Sequence, residues 1–155
     1  MFISNQSRGI RNNNPLNIRR SSSQWKGLVE VPTDDRFCQF KTLAYGWRAA
    51  FHLLTRTYYG KYGHNTIRTV ISKWAPPSEN DTQAYIDHVS RLTGIPATEP
   101  LGPPSTHSAR WLMLAEAMAI HENGTSSPDH FAMLQGWQML QEENLSDISS
   151  PSVGA

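Results

Sequence analysis

Residues 107–124 read HSARWLMLAEAMAIHENG, and this is the strongest helix signal in the chain. It is dense in Ala, Leu and Met, which favour helix, and it stops at a glycine suited to a left-handed cap. Stepping about 100° per residue from Trp111, Ala115 falls near about 40°, Met118 near about −20° and Glu122 near about 20°. Glu122 therefore prolongs the apolar stripe, whereas Glu116 lies near about 140°, on the far side. A carboxylate on a buried face is costly when ionised, and the last turn of a helix adds the unfavourable end of the macrodipole. Both effects point to a carboxyl that keeps its proton near neutral pH, the property of a general acid. The plainer reading is a helix that frays at His121 and leaves Glu122 in water.

The segments on either side supply the remaining helices. In residues 45–60, Trp47, Ala50, Phe51, Leu54 and Tyr58 share one face, and Gly60 ends the run. In residues 65–77, Asn65 is placed to cap, Ile67, Val70, Ile71 and Trp74 form the stripe, and prolines stop it. In residues 79–94, Asn80 or Asp81 caps, Tyr85, Val89 and Leu92 point inward, and Gly94 terminates. Residues 95–106 are rich in proline and form a linking loop. A last helix covers residues 127–143, with Pro128 in its first turn. The chain length of 155 residues fits one domain over 1–145, followed by a flexible tail over 146–155.

The N-terminal part is different in kind. Residues 8–18, RGIRNNNPLNI, carry turn chemistry: asparagines that tolerate unusual backbone angles, then a proline. In residues 25–31, Trp25, Gly27, Val29 and Val31 alternate with Lys26, Leu28 and Glu30, PTDD makes a turn, and residues 36–40 return. This predicts a small β-hairpin, with a third short strand beside it. The expected class is α+β, mainly α. Glu30, Asp34 and Asp35 in the hairpin are either turn formers or the second carboxylate that glycoside cleavage ordinarily uses.

Charge and composition narrow the function. The net charge is +1, but Arg8, Arg11, Arg19, Arg20 and Lys26 all precede the first acidic residue, Glu30. That basic end suits a polyanion or is simply a solvated surface; overall neutrality and the lack of a basic helix argue against nucleic acid. The single cysteine, Cys38, excludes an internal disulfide and reads as a small buried hydrophobe. The six histidines show no metal-ligand spacing, and there is neither a phosphate-binding glycine loop nor a nucleophile elbow, so no metal or cofactor is expected. The first residues lack a secretory apolar stretch and no run reaches membrane-spanning length, so no membrane is expected as partner. A protein made in the cytoplasm that acts in the periplasm or cell wall then needs separate delivery.

Taken in order, RGIRNNNPLNIR, Trp25-x-Gly27, Asp35-x-Phe37-x-x-Phe40, YGWRAA, the run from TIRTVISKW to YI-x-x-V, and LAEAMAIHENG followed by GW resemble a family of phage virion proteins. Such proteins are usually described only as structural, and several are thought to lyse cell walls. NNPLNIR, QWKG, a hairpin and helices also resemble autolysin-type glucosaminidases of the lysozyme-like superfamily, whose catalytic helix ends in Glu. Here the Glu-ended helix stands at the back of the chain, which implies a circularly permuted lysozyme-like domain with Glu122 beside the Asn-rich loop.

That second resemblance implies a peptidoglycan-cleaving muramidase, glucosaminidase or lytic transglycosylase. Glu122 would protonate the glycosidic oxygen. Either the substrate's acetamido group or a water held by Glu30, Asp34 or Asp35 would complete the reaction. Asn13, Asn14 and Asn17 would bond sugar hydroxyls and acetamides, Arg11 and Arg19 would pair with muramyl or peptide-stem carboxylates, and Trp25 or Trp74 would stack on a ring. The expected partners are glycan strands, components of a virion or secretion system and, for an antibacterial effector, an immunity protein. The competing expectation is a non-catalytic virion or wall-binding protein that keeps the cleft without the chemistry.

Overall fold

The computed structural model describes residues 6–78, 80–124 and 128–149. Among the described residues there are six α-helices: α1 (Arg8–Arg11), α2 (Leu43–Phe51), α3 (Ile67–Trp74), α4 (Thr82–Thr93), α5 (Ser108–Asn123) and α6 (His130–Ser149). A π-helix, His52–Lys61, continues α2 without a break.

The core forms on α5. Trp111, Leu114, Ala115 and Met118 are fully buried, and Ala117 and Ala119 nearly so. The helix is thus enclosed on more than the single stripe that periodicity marks. Small residues on its other sides let neighbours pack close. Helix α4 lies along one side, α3 packs in turn on α4, and α1 touches the C-terminal end of α5. Helices α2 and α6 form the second intimate pair. Gly136 makes this possible: a Cβ there would stand 2.6 Å from the Trp47 Cβ and 2.7 Å from the Ala44 carbonyl.

Several local expectations are corrected. The alternating segment at 25–40 forms no ladder. Two isolated antiparallel bridges, Arg19 with Phe37 and Leu28 with Phe40, replace it. The reason is that residues 37–41 divide their backbone bonds between neighbours. The Cys38 N–H donates to the Ile18 carbonyl, that of Phe40 to Asn12, and that of Lys41 to Gly27. The Asn-rich loop therefore occupies one side of what would have been the hairpin.

The expected helix at 45–60 becomes a π-helix after Phe51 and runs one residue past Gly60. Its buried Thr55 hydroxyl donates to the Phe51 carbonyl, 2.7 Å away, a side-chain bond to the backbone at the junction. Thr66, not Asn65, caps α3, in a capping box with Thr69. The Asn65 side chain instead accepts from the Gly102 N–H. In α4, Asp81 is the cap and Ile86 joins Tyr85 and Val89 inside. Leu92, in the last turn, stays 44% exposed.

Helix α6 is described as far as Ser149. Residues 150–155 of the expected tail, and residues 1–5 of the segment read for a secretory signal, lie outside the described residues. Cys38 is buried, as expected of a small hydrophobe. Among the described residues no helix is long and apolar enough to cross a membrane.

Candidate functional site

The Asn-rich loop is built around its own side chains. Asn14 is fully buried; its amide donates to the Ile18 and Cys38 carbonyls at 3.0 Å, and its oxygen accepts from the Ile18 N–H. Asn13 donates to the Phe40 carbonyl at 3.0 Å, and Asn12 donates to Asp34 while accepting from Gln39. Asn13 and Asn17 take positive φ, 53° and 54°, a region that asparagine enters more readily than most residues. The tight turn at Asn17 aims its amide away from the loop, toward the end of α5.

There it meets Glu122. The Asn17 amide donates to Glu122 Oε1 at 3.1 Å. The buried Tyr85 hydroxyl donates to Oε2 at 2.8 Å, and the Trp74 indole N–H makes a longer contact to the same oxygen at 3.4 Å. The carboxylate is thus held by the N-terminal loop, α4 and α3 at once. Its neighbour Asn123 fastens the same junction: the side chain donates to the Pro15 carbonyl at 2.8 Å and accepts from the Ser7 hydroxyl at 2.6 Å. Gly9 leaves room for this arrangement, since a Cβ there would stand 2.5 Å from the Asn123 side-chain oxygen and 2.7 Å from that of Asn17.

Behind the carboxylate lies a titratable stack. His121 packs flat on Tyr85, with ring centroids 3.7 Å apart, and its Nδ1 lies 2.9 Å from Nδ1 of His88. Only one of those two nitrogens can carry the shared proton. Burial, then the charge of His88, pushes His121 below the ordinary histidine value, against the opposing pull of Glu122. Burial first, and the adjacent Glu122 second, hold the Tyr85 hydroxyl well above its usual range, so it remains a donor.

Glu122 opens onto a cleft of about 350 Å³. Asn17, Arg19, Trp74 and Glu122, all expected site residues, line it. Tyr58, Phe37, Leu53 and Asn80 complete much of the wall. Burial pushes the Tyr58 hydroxyl up to about 12.

The other expected residues stand elsewhere. Asp34 receives both guanidinium bonds of Arg8, at 2.6 and 2.7 Å, and the backbone N–H groups of Arg36 and Phe37. The Arg8 bond holds its carboxyl far below the ordinary range, and this saturated group is a structural anchor. Asp35 is 89% exposed on the rim of the same ion pair. Glu30 is exposed and lines a separate surface pocket beside Arg20 and Gln39. None of these three carboxylates lines the Glu122 cleft.

Arg11 faces outward and donates to the Gln6 carbonyl. Trp25 packs edge-on against His52, with centroids 5.4 Å apart, and does not line the cleft. Asn13 and Asn14 turn their amides to the backbone and do not line it either. The residues missed in the sequence include Tyr85, Tyr58, Phe37, Leu53 and Asn80. The first two stand on apolar stripes, where an inward tyrosine needs a partner for its hydroxyl, and that need was the available signal.

No family model matches the chain. Protein P5 of Pseudoalteromonas phage PM2 is 40% identical over 139 residues, covering 88% of this chain and 83% of that protein. With that identity across most of both sequences, the chain belongs to the phage protein family of Protein P5.

Proposed function

We propose that this protein is a structural component of a phage particle and that its Glu122 cleft binds peptidoglycan glycan strands. The observation that carries the reading is the chemistry of the cleft wall. The carboxamides of Asn17 and Asn80, the Arg19 guanidinium and the rings of Phe37, Tyr58 and Trp74 surround a single carboxylate. Amides suit hydroxyls and acetamides, a guanidinium suits the carboxylates of the muramyl unit or its peptide, and aromatic rings suit the apolar faces of sugars. Membership of a phage protein family supports the particle setting.

A second reading, cleavage of the strand by a lysozyme-like domain, is favoured by the fixed posture of Glu122. The carboxyl stands at a helix end, oriented by Tyr85 and Asn17, with the cleft in front. In that reading Glu122 protonates the glycosidic oxygen. Glu30, Asp34 and Asp35 lie on other surfaces, so the substrate's acetamido group is the partner left to stabilise the developing cation. The same chemistry would serve wall crossing in infection, lysis, or an effector delivered with its immunity protein.

Sedimentation with purified sacculi, paired with a turbidity assay, separates the two. The binding reading expects wild type and Glu122→Gln both to sediment with sacculi and neither to clear them. Cleavage expects wild type to clear the suspension and Glu122→Gln to lose about 10²-fold or more of that rate. Wild type left in the supernatant, with no clearing, removes both.

A further inference from the structure

The rings of the cleft do not stop at its mouth. Trp74 lies edge-on to Tyr58, with centroids 6.0 Å apart, and Tyr58 lies edge-on to His64 at 6.0 Å. His64 in turn lies 6.4 Å from Tyr62, with the two planes only 37° apart. Trp74 and Tyr58 line the cleft, while Tyr62 is 53% exposed. The ammonium groups of Lys61 and Lys73 stand 5.4 and 5.5 Å from the Tyr62 ring centre. Neither is paired with a carboxylate among the described residues.

The backbone holds this outer part in place. Tyr62 follows the last residue of the π-helix, and its N–H donates to the Thr57 carbonyl. Gly63, at φ 73°, reverses the chain, and the His64 N–H returns to the Tyr58 carbonyl at 2.9 Å. A large aromatic ring kept half in water by a closed turn is organised before any ligand arrives.

We propose that this strip, Trp74–Tyr58–His64–Tyr62 flanked by Lys61 and Lys73, is an outer subsite that holds an anionic glycan strand as it leaves the Glu122 cleft. The inference rests on the glycan reading of the cleft and extends it to a ligand longer than the cleft itself. The apolar face of a sugar lies on Tyr62, and the two ammoniums meet carboxylates carried by the strand. A polyphosphate fits less well. Two lysines on a chain of net charge +1 release few counterions, and the strip runs into a wall of carboxamides.

Isothermal titration with peptidoglycan glycan strands that retain their lactyl carboxylates, sorted into long strands and single disaccharides, tests this. Tyr62→Ala should bind long strands about 5–10-fold more weakly than wild type and disaccharides equally well. Lys61→Gln with Lys73→Gln should weaken long-strand binding by about 10-fold at low salt, and the deficit should shrink at high salt. All these residues are exposed, so thermal unfolding should match wild type. If both variants bind long strands as wild type does while disaccharide binding persists, the outer subsite is wrong and the cleft stands. If wild type binds neither length, the cleft reading falls and takes this one with it. If duplex DNA binds more tightly than glycan and loses that affinity in the lysine variant, the ligand class is wrong.

Discussion

At the scale of single residues, the asparagines of the N-terminal loop divide into two kinds. Asn17 faces the cleft, whereas Asn14 is scaffold. The Asn14 amide and oxygen are used on three backbone groups inside the fold. Truncation to alanine would leave the Ile18 N–H and the Cys38 carbonyl without that partner, at roughly 1–3 kcal/mol each before relaxation, while the Ile18 carbonyl keeps the Cys38 N–H. We expect Asn14→Ala to destabilise the protein by about 3 kcal/mol in urea unfolding. Replacing an exposed residue of the same segment, Arg11, with alanine should change the unfolding free energy by less than about 0.5 kcal/mol. Equal effects from the two would show that the loop does not depend on Asn14.

At the scale of elements, the pairing of α2 with α6 depends on Gly136. Replacing an interior helical glycine with alanine ordinarily stabilises a helix by about 1 kcal/mol. Here the new Cβ would press on the Trp47 Cβ, the Ala44 carbonyl and, at 2.8 Å, the Arg48 backbone nitrogen. Backbone cannot yield as a side-chain tip can, so overpacking outweighs propensity. Gly136→Ala should therefore lower stability, by about 2 kcal/mol, as read by denaturant midpoint. A gain in stability would show that the helices part at little cost.

At the scale of the whole molecule, ion pairs tie early segments to late ones. Glu143 on α6 accepts both guanidinium bonds of the buried Arg48, at 2.8 Å, and one from Lys26 in the N-terminal loop at 2.9 Å. The Arg48 bonds hold its carboxyl at about 2, against an ordinary value of 4.5. Because the unfolded chain takes up this proton first, the contribution is complete above pH 4.5 and is lost as pH falls to about 2. Asp34 is shifted in the same direction and adds to the loss at low pH. Glu143→Gln should cost roughly 2–3 kcal/mol at neutral pH, and its difference from wild type should narrow toward pH 2. Thermal unfolding of the two proteins across that range measures it, and a constant gap would contradict the assignment.

The sequence by itself determined the helices of the main body and which of their faces turn inward. Periodicity and caps are local, so Trp47, Val70, Val89 and Trp111 could be placed without any knowledge of the fold. It also put Glu122 on an apolar stripe and marked the Asn-rich loop as too well built to be a tail. What encloses that carboxylate was not legible. Asn17 is 105 positions away, Trp74 is 48 and Tyr85 is 37, and no local pattern encodes pairings over such separations.

The same reason accounts for the hairpin that resolved into two bridges. Its alternation was visible, but competition from the loop at 12–20 for the same backbone groups was not. The π-helix and the aromatic strip at its end also arise where the chain is fitted against its surroundings. Local chemistry chose the elements. Only the closing of the N-terminal loop onto the end of α5 gave Glu122 its donors and joined it to a cleft.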